Sequence, residues 1–485
     1  MMGEFVADLA SFMEEYKIWV LVLSWAIVSV GLLQTLTYLL QLPTAWFELR
    51  KHSQAGDTET SWQMLTSAGV APPISLLVPA YNEEAVIVQS VRSMLTLEYP
   101  EIEVIVVNDG SKDGTLQAMI DGFGLKPVAR VHERRVQHAE VRGVYGSPLY
   151  PRLVLVDKAN GGKADAINAG INFSRCPLFC VGDADSLLEA QALLSAARPF
   201  MEDPERVVAV GGTIRVVNGC EVKAGRVTKV GLPKRFLPLV QTMEYIRAYL
   251  MARLALSRWG ALTIISGAFG IFRRDVALEV GGFSHGTVGE DLEIILKMHR
   301  HLSDLKRDFA MRFVPEPVCW TEAPESLKIL KSQRTRWERG ALEGFFKHKD
   351  MLFNRRYGNI GMVAFPLSLV TDVLGPIVEV LGYLLIPIFY LLGMLSLQFL
   401  LAFTALVFVI GVFISACSLV LEEMELKRVP RARDLLILIG VAIIENFGYR
   451  QINNWWRVVG YWQFLRKKQG WGEMRRKGFT AAKTA

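Results

Sequence analysis

Leu178-Phe179-Cys180-Val181-Gly182-Asp183-Ala184-Asp185 is a short apolar run that stops on two carboxylates one residue apart. An apolar run of this length, closed by polar residues, has the character of a strand buried on both faces. Carboxylates at its C-terminal end then fall where open α/β sheets bind ligands. Similar β-rich runs at 74–79, 103–107 and 152–156 alternate with longer, helix-compatible stretches. That rhythm predicts a mostly parallel sheet with helical crossovers over residues 71–345. Residues 126–151 interrupt it with a polar, His- and Arg-containing stretch that reads as a surface loop of no legible role.

Composition asks for something beside this domain. Of the 485 residues 51% are hydrophobic and 21% charged, which excludes a disordered or fibrous chain. The formal charge of +6, from 54 Lys and Arg against 48 Asp and Glu, is modest for the length, and no nucleic-acid partner is expected. Cys176, Cys180, Cys220, Cys319 and Cys417 are too scattered for a disulfide framework and suit a reducing cytosolic face.

The apolar excess lies outside the domain. Residues 18–42 carry no charge, and ~20 apolar residues suffice to cross the hydrocarbon core, so 1–52 is expected to hold one transmembrane helix. Acidic Glu4, Asp8, Glu14 and Glu15 before it, with Arg50 and Lys51 after it, put the N-terminus outside and the domain in the cytosol. Residues 380–421 are charge-free over about twice the length of one span and read as a hairpin turning within 393–398. Lys427, Arg428, Arg431 and Arg433 then return the chain to the cytosolic side.

Residues 346–379 read as amphipathic or interfacial helices, because the apolar piece 359–371 is too short to span. Asp372 and Glu379 fall at the membrane entrance, as functional groups or as a solvated helix end. Residues 434–485 read as a re-entrant or interfacial segment with Trp455, Trp456, Tyr461 and Trp462 at headgroup depth. The basic tail of Arg466, Lys467, Lys468, Arg475, Arg476 and Lys477 would rest on anionic lipid. The expected location is a bacterial-type plasma membrane, crossed several times.

Four polar clusters in the α/β domain can do chemistry. Asn108-Asp109-Gly110-Ser111 follows the run 103–107 and reads either as a ligand carboxylate at a strand end or as an Asp-Gly turn. Asp183 and Asp185 can together meet a hard cation such as Mg²⁺ or Mn²⁺ that also binds phosphate. In Gly289-Glu290-Asp291, the carboxylates are either first-turn charges or hold a general base, Asp291. If residues around 333 are helical, Gln333, Arg336 and Trp337 share a face at i, i+3 and i+4. Arg336 there suits a diphosphate and the Trp337 indole a sugar ring; the alternative is an amphipathic helix anchored by Trp.

Together with Pro79-Ala80-Tyr81-Asn82-Glu83 and Asn160-Gly161-Gly162-Lys163, these stretches resemble, in order and spacing, the processive family 2 glycosyltransferases. That group includes cellulose, chitin, hyaluronan and bacterial poly-N-acetylglucosamine synthases. The resemblance implies a GT-A nucleotide-diphospho-sugar transferase domain, α/β in class, joined to transmembrane and interfacial helices. It implies that Tyr81, Glu83, Asp109, Lys163 and Asp183 bind the nucleotide sugar and that Asp183 and Asp185 hold Mg²⁺ or Mn²⁺. Asp291, beside Glu290, matches the catalytic base, and Gln333, Arg336 and Trp337 match the signature that holds acceptor and diphosphate.

The activity implied is inverting transfer from a UDP-sugar, with UDP-N-acetylglucosamine favoured over UDP-glucose, into a β-linked exopolysaccharide passed across the membrane. Partners would be the growing polymer, membrane lipids and accessory export subunits. Gly289 stands where cellulose synthases commonly carry Thr, which weighs against cellulose. The enzymatic alternative is transfer of one sugar to a lipid acceptor. A non-catalytic scaffold would not need Asp183, Asp185 and Asp291.

Overall fold

The computed structural model describes residues 17–54, 69–391, 393, 395–426 and 432–467. The acidic residues before 17, most of 53–73, Lys427, Arg428, Arg431 and the tail beyond Lys467 lie outside the described residues.

In chain order the strands are β1 (Ile74–Ala80), β2 (Ile102–Asp109), β3 (Lys126–Pro127), β4 (Val141–Ser147), β5 (Tyr150–Lys158) and β6 (Leu178–Gly182). They continue with β7 (Leu187–Leu188), β8 (Val207–Val216), β9 (Glu221–Lys223), β10 (Arg226–Lys229), β11 (Phe269–Arg273) and β12 (Ala310–Thr321). Ten of them form one sheet in the order β3-β4-β5-β2-β1-β6-β11-β8-β12-β7, while β9 and β10 pair separately. β5, β2, β1 and β6 are parallel neighbours, with Val78 opposite Val106 and Leu76 opposite Cys180. These strands read as near-continuous apolar runs because helices cover both faces. β11 runs antiparallel between β6 and β8, so the sheet is mixed. The C-terminal ends of β1, β2, β5 and β6 all reach one edge, which collects Tyr81, Asp109, Lys158 and Asp183.

The segment 126–151 is only in part the surface loop that its polarity suggests: 128–140 is irregular and mostly exposed, and strands flank it. Most of the remainder is strand: β4 pairs antiparallel with β5, and β3 adds the edge strand beside it. The stretch before β4 is bound to the Lys163–Phe173 helix. Asn172 accepts from the backbone N–H groups of Arg135 and Val136 at 3.1 Å and donates to the Val136 carbonyl at 2.7 Å. The His132 ring stacks on Phe173 with centroids 3.9 Å apart. Around Arg135, Val136 and Ala139 helix side chains satisfy the backbone, so the exposed loop is tied to the domain at these points.

Three helices among the described residues are long and apolar enough to cross a membrane: Ser24–His52, Ile360–Leu391 and Leu400–Met424. The first belongs to the longer helix Lys17–Gln54, whose lower end joins the domain core through Leu42, Ala45 and Leu49. A fourth apolar unit is the pair Ala432–Ile444 and Tyr449–Leu465, bent by 59°.

The second helix corrects the sequence reading. The expected interfacial piece 359–371 and the first arm of the expected hairpin are continuous, from Ile360 to Leu391. Its two carboxylates do not end it because the Tyr449–Leu465 helix meets them. Arg457 approaches Asp372 at 3.4 Å, and Asn454 donates to Glu379, which also accepts from the Tyr383 hydroxyl at 3.3 Å. Half-buried charges so partnered can stay within an apolar helix.

Candidate active site

The edge where β1, β2, β5 and β6 end is shaped by turns rather than long loops. Asn82 has a left-handed backbone, φ +57°. Its N–H donates to Ser111 Oγ at 3.0 Å and its side-chain oxygen accepts from Lys112 N at 2.8 Å. Glu83 N donates to Thr115 Oγ1 at 2.8 Å, so the turn after β1 is sewn to the turn after β2. Tyr81 stands 44% exposed at this edge.

At the end of β2 the Asp109 side chain is almost wholly buried. It pairs with Lys158 Nζ and accepts from the backbone N–H groups of Gly161 at 3.0 Å and Gly162 at 2.8 Å. Asn160 Nδ2 donates to the Asp109 carbonyl at 2.7 Å. Asp109 therefore fixes the Asn160–Gly162 turn, and that turn launches the helix that begins at Lys163. Gly162, at φ +90°, is a conformation that L side chains rarely adopt.

Lys158, absent from the sequence-based site, is completely buried between Asp109 and Asp165, 2.5 Å from the latter. The Asp165 carboxylate also takes the Ala139 N–H at 3.0 Å and meets His285 Nε2 at 2.9 Å. Burial would raise the Asp165 carboxyl, but the hydrogen bonds from Lys158 and Ala139 outweigh it and hold the group below the usual range. The available signal was a strand that ends on Lys158, directly in register with Asp109.

Lys163 reaches across the edge to the remaining acids. Its Nζ donates to Asp183 Oδ1 at 2.6 Å and to the Gly267 carbonyl at 3.1 Å, and lies 3.8 Å from Glu290 Oε1. Gly267 N in turn donates to Asp291 Oδ2 at 3.0 Å, and Leu292 N to Asp291 Oδ1 at 2.9 Å. A β-carbon on Gly267 would stand 3.2 Å from the Lys163 ammonium nitrogen, so the close approach belongs to glycine. Asp183, Lys163, Glu290 and Asp291 are thus joined through one backbone unit. Asp185 is buried immediately beyond Asp183.

The charges in this group set one another. Burial raises Glu290 to about 7, with Lys163 opposing the rise and Asp291 adding to it. Burial would lower Lys163, yet the charges of Asp183 and Glu290 more than offset it and keep the ammonium charged. Arg336 is drawn below its ordinary value by burial, against support from Glu290, Asp183 and Asp291.

Arg336 arrives on the Leu327–Lys347 helix, capped by Ser326, which accepts from Ile329 N at 3.4 Å. Gly340 on that helix touches Gly289 backbone to backbone, and this contact carries Arg336 to the acidic group. Gln333, on the same helix, has a buried carbonyl oxygen without a hydrogen-bond partner among the described residues. Trp337 is 43% exposed, with the Arg334 guanidinium 4.7 Å over its ring. Arg334, also missed from sequence, is held by Glu244 at 2.5 Å.

The family description "Glycosyltransferase like family 2" matches residues 72–340, more than half of the chain. The chain is a family 2 glycosyltransferase. A probable glycosyltransferase, YdaM, of Bacillus subtilis is 30% identical over 297 residues, 59% of this chain and 61% of that protein. A poly-β-1,6-N-acetyl-D-glucosamine synthase of Staphylococcus epidermidis is 28% identical over 270 residues, 56% of this chain and 55% of that one. The chain thus spans somewhat over half the length of these curated relatives. In structure this family 2 enzyme is similar to a mannosyltransferase of Pyrobaculum calidifontis solved with GDP-mannose and Mn²⁺. That likeness has a TM-score of 0.51 at 18% identity and covers 91% of this chain and 100% of the other. It shows the GT-A fold.

Proposed function

We propose that this glycosyltransferase is an inverting, metal-assisted polysaccharide synthase that draws on UDP-N-acetylglucosamine and passes a β-linked polymer across the membrane. The observation that carries the reading is the convergence of Lys163, Asp183, Glu290, Asp291 and Arg336 at one sheet edge. The choice of sugar is supported by the Staphylococcus relative named above.

Among the described residues no three His, Cys, Asp or Glu side chains form a complete metal cage. The donor chemistry of Asp183 and Asp185, hard oxygens two residues apart, fits Mg²⁺ or Mn²⁺ shared with the phosphates of a donor. Such an ion supplies positive charge to the diphosphate leaving group. Lys163 already occupies the cation side of Asp183, so it is positioned to move onto a diphosphate once the carboxylate is otherwise engaged. Arg336 adds a second, planar cation from the opposite wall.

Asp291 is oriented by two backbone N–H groups and keeps lone pairs for a substrate hydroxyl. It takes the acceptor proton while the acceptor oxygen forms a bond to the anomeric carbon. The bond from that carbon to the diphosphate breaks on the far side, its electron pair leaving with UDP, and configuration inverts. Tyr81 and Glu83 border the nucleotide end, while Gln333 and Trp337 border the acceptor end.

Export is supported by how the acceptor helix is mounted. Arg457, on the bent apolar pair, donates to Glu338 at 2.6 Å, one residue past Trp337 on the Leu327–Lys347 helix. A β-carbon on Gly460 would meet the Thr335 carbonyl at 2.8 Å, so the two helices run in backbone contact. The polar groups Asp372, Glu379 and Asn454 begin beside this junction.

Purified full-length protein supplied with radiolabelled UDP-sugars one at a time, with Mg²⁺ or Mn²⁺, tests the proposal. UDP-N-acetylglucosamine is expected to give label in polymer. A lipid carrying a single sugar would favour the non-processive alternative.

A further inference from the structure

On the opposite edge of the sheet from Asp183, where β8 and β12 begin, an open cleft of about 630 Å³ lies between the Glu290–Asp304 helix and the turn before Ile360. Its charge is one-sided. Arg206, Arg258, Lys306, Arg307, Arg312 and Arg356 line it, against Asp308 alone among the acidic lining residues.

Four of these cations are held at the rim: Arg206 by Asp308 at 2.8 Å, Arg307 by Glu279 at 2.8 Å, Arg356 by Asp304 at 2.8 Å and Arg258 by Glu48 at 3.7 Å. The other two are different. Among the described residues, no acceptor engages the side chain of Arg312 or Lys306. Arg312 is half-buried on β12, with its guanidinium open to the cleft solvent. Lys306 stands exposed on a left-handed turn, φ +54°, directed by the end of the helix. The cleft therefore combines an open, concave volume with two uncommitted cations on its lining.

Its place in the fold puts it beside the membrane-facing helices. Glu48, which meets Arg258, lies at the domain end of Lys17–Gln54, and the lining residue Ile360 starts the apolar helix Ile360–Leu391. The Asn359 side chain ties these regions by donating to the Trp259 carbonyl at 2.7 Å. The cleft thus opens beside the ends of two helices long enough to span a bilayer. Anionic headgroups concentrate at that level, and basic pockets next to spanning helices are suited to them.

We propose that this cleft binds the phosphate group of an anionic phospholipid, with Arg312 and Lys306 as its ligands. The inference rests on the reading that Lys17–Gln54 and Ile360–Leu391 cross the membrane. Arg312 would form the planar, charge-assisted contact and Lys306 the point-charge contact.

The test uses the full chain in phosphatidylcholine nanodiscs with or without phosphatidylglycerol. Native mass spectrometry then counts the lipid retained after release into detergent. The wild type is expected to retain phosphatidylglycerol in preference to phosphatidylcholine. Arg312→Gln and Lys306→Gln should each weaken that retention by roughly tenfold, the size expected when one charge-assisted hydrogen bond is removed, with turnover in phosphatidylcholine unchanged. Lys306→Gln lies on an exposed turn, so it reports even if the β12 variant folds poorly.

Equal retention in both variants and the wild type overturns the proposal. Binding of inorganic phosphate in phosphatidylcholine discs, without phosphatidylglycerol preference, overturns the lipid source. Failure of the chain to enter phosphatidylcholine discs overturns the spanning reading, and this site with it.

Discussion

Gly289 and Gly340 meet with no side chain between them: a β-carbon on Gly340 would stand 3.0 Å from the Gly289 α-carbon. Four residues on, a β-carbon on Gly344 would stand 2.2 Å from Leu292 Cδ2, so the Leu327–Lys347 helix closes on the start of the Glu290–Asp304 helix along a glycine seam. The contact sets the distance from Arg336 to Glu290 and Asp291. Gly340→Val should cost about 1–3 kcal/mol by overpacking. Moving Arg336 by about an ångström should lower turnover some hundredfold. Thermal unfolding and steady-state rates measured together check both parts; a normal rate in a destabilised variant contradicts the link to Arg336.

Glu290 carries a pH prediction. Its carboxyl is raised to about 7 by burial, so between about pH 4.5 and 7 the folded chain binds more protons than the unfolded one. The sign follows: this group's contribution to stability falls as pH rises through that window. The same ionisation should appear as an inflection near neutral pH in kcat/KM for the donor, which reports the free enzyme. Glu290→Gln should remove the inflection; a profile unchanged in the variant assigns it elsewhere.

Lys158→Met should be severe, because it leaves Asp109 and Asp165 buried without their shared cation. Breaking a buried pair by removing one partner costs about 3–5 kcal/mol. Asp165 adds an acid limb of opposite sign to Glu290. Its folded value is depressed, so its stabilisation is present above about pH 4 and is lost as pH falls through the folded value. Thermal melts from neutral to acid pH follow both effects, and a variant as stable as wild type contradicts the anchoring role of Asp109.

Chelation of divalent cations should abolish turnover, with Mn²⁺ or Mg²⁺ restoring it. Asp185→Asn should raise the metal concentration needed for half-maximal rate by tenfold or more, because the amide that replaces the carboxylate carries no charge for the ion. Full activity in chelator contradicts the metal assignment to Asp183 and Asp185.

The parts of the fold legible in sequence are those whose physics is local. The run 178–181 ends on Asp183 and Asp185 because a doubly buried strand must be apolar until it leaves the sheet. Gln333 and Arg336 share a helical face by spacing alone. What escaped depends on partners distant in the chain. Asp372 and Glu379 read at the membrane entrance as functional groups or as a solvated helix end, since nothing nearby announces Arg457 and Asn454 as their partners. Asp109 looked outward until Lys158 and the Gly161 and Gly162 amides claimed its carboxylate. The anchoring of the 128–140 loop was not legible because Asn172, distant in the chain, accepts from Arg135 and Val136.

The central claim is that Asp291 is the single base of the transfer. Asp291→Asn keeps the shape of the side chain and removes its ability to take a proton, so donor and metal affinity should stay near wild type while kcat falls by about a hundredfold or more. Radiolabelled donor turnover, measured beside equilibrium donor binding on the same purified sample, reads both. Turnover close to wild type with intact binding would contradict the account.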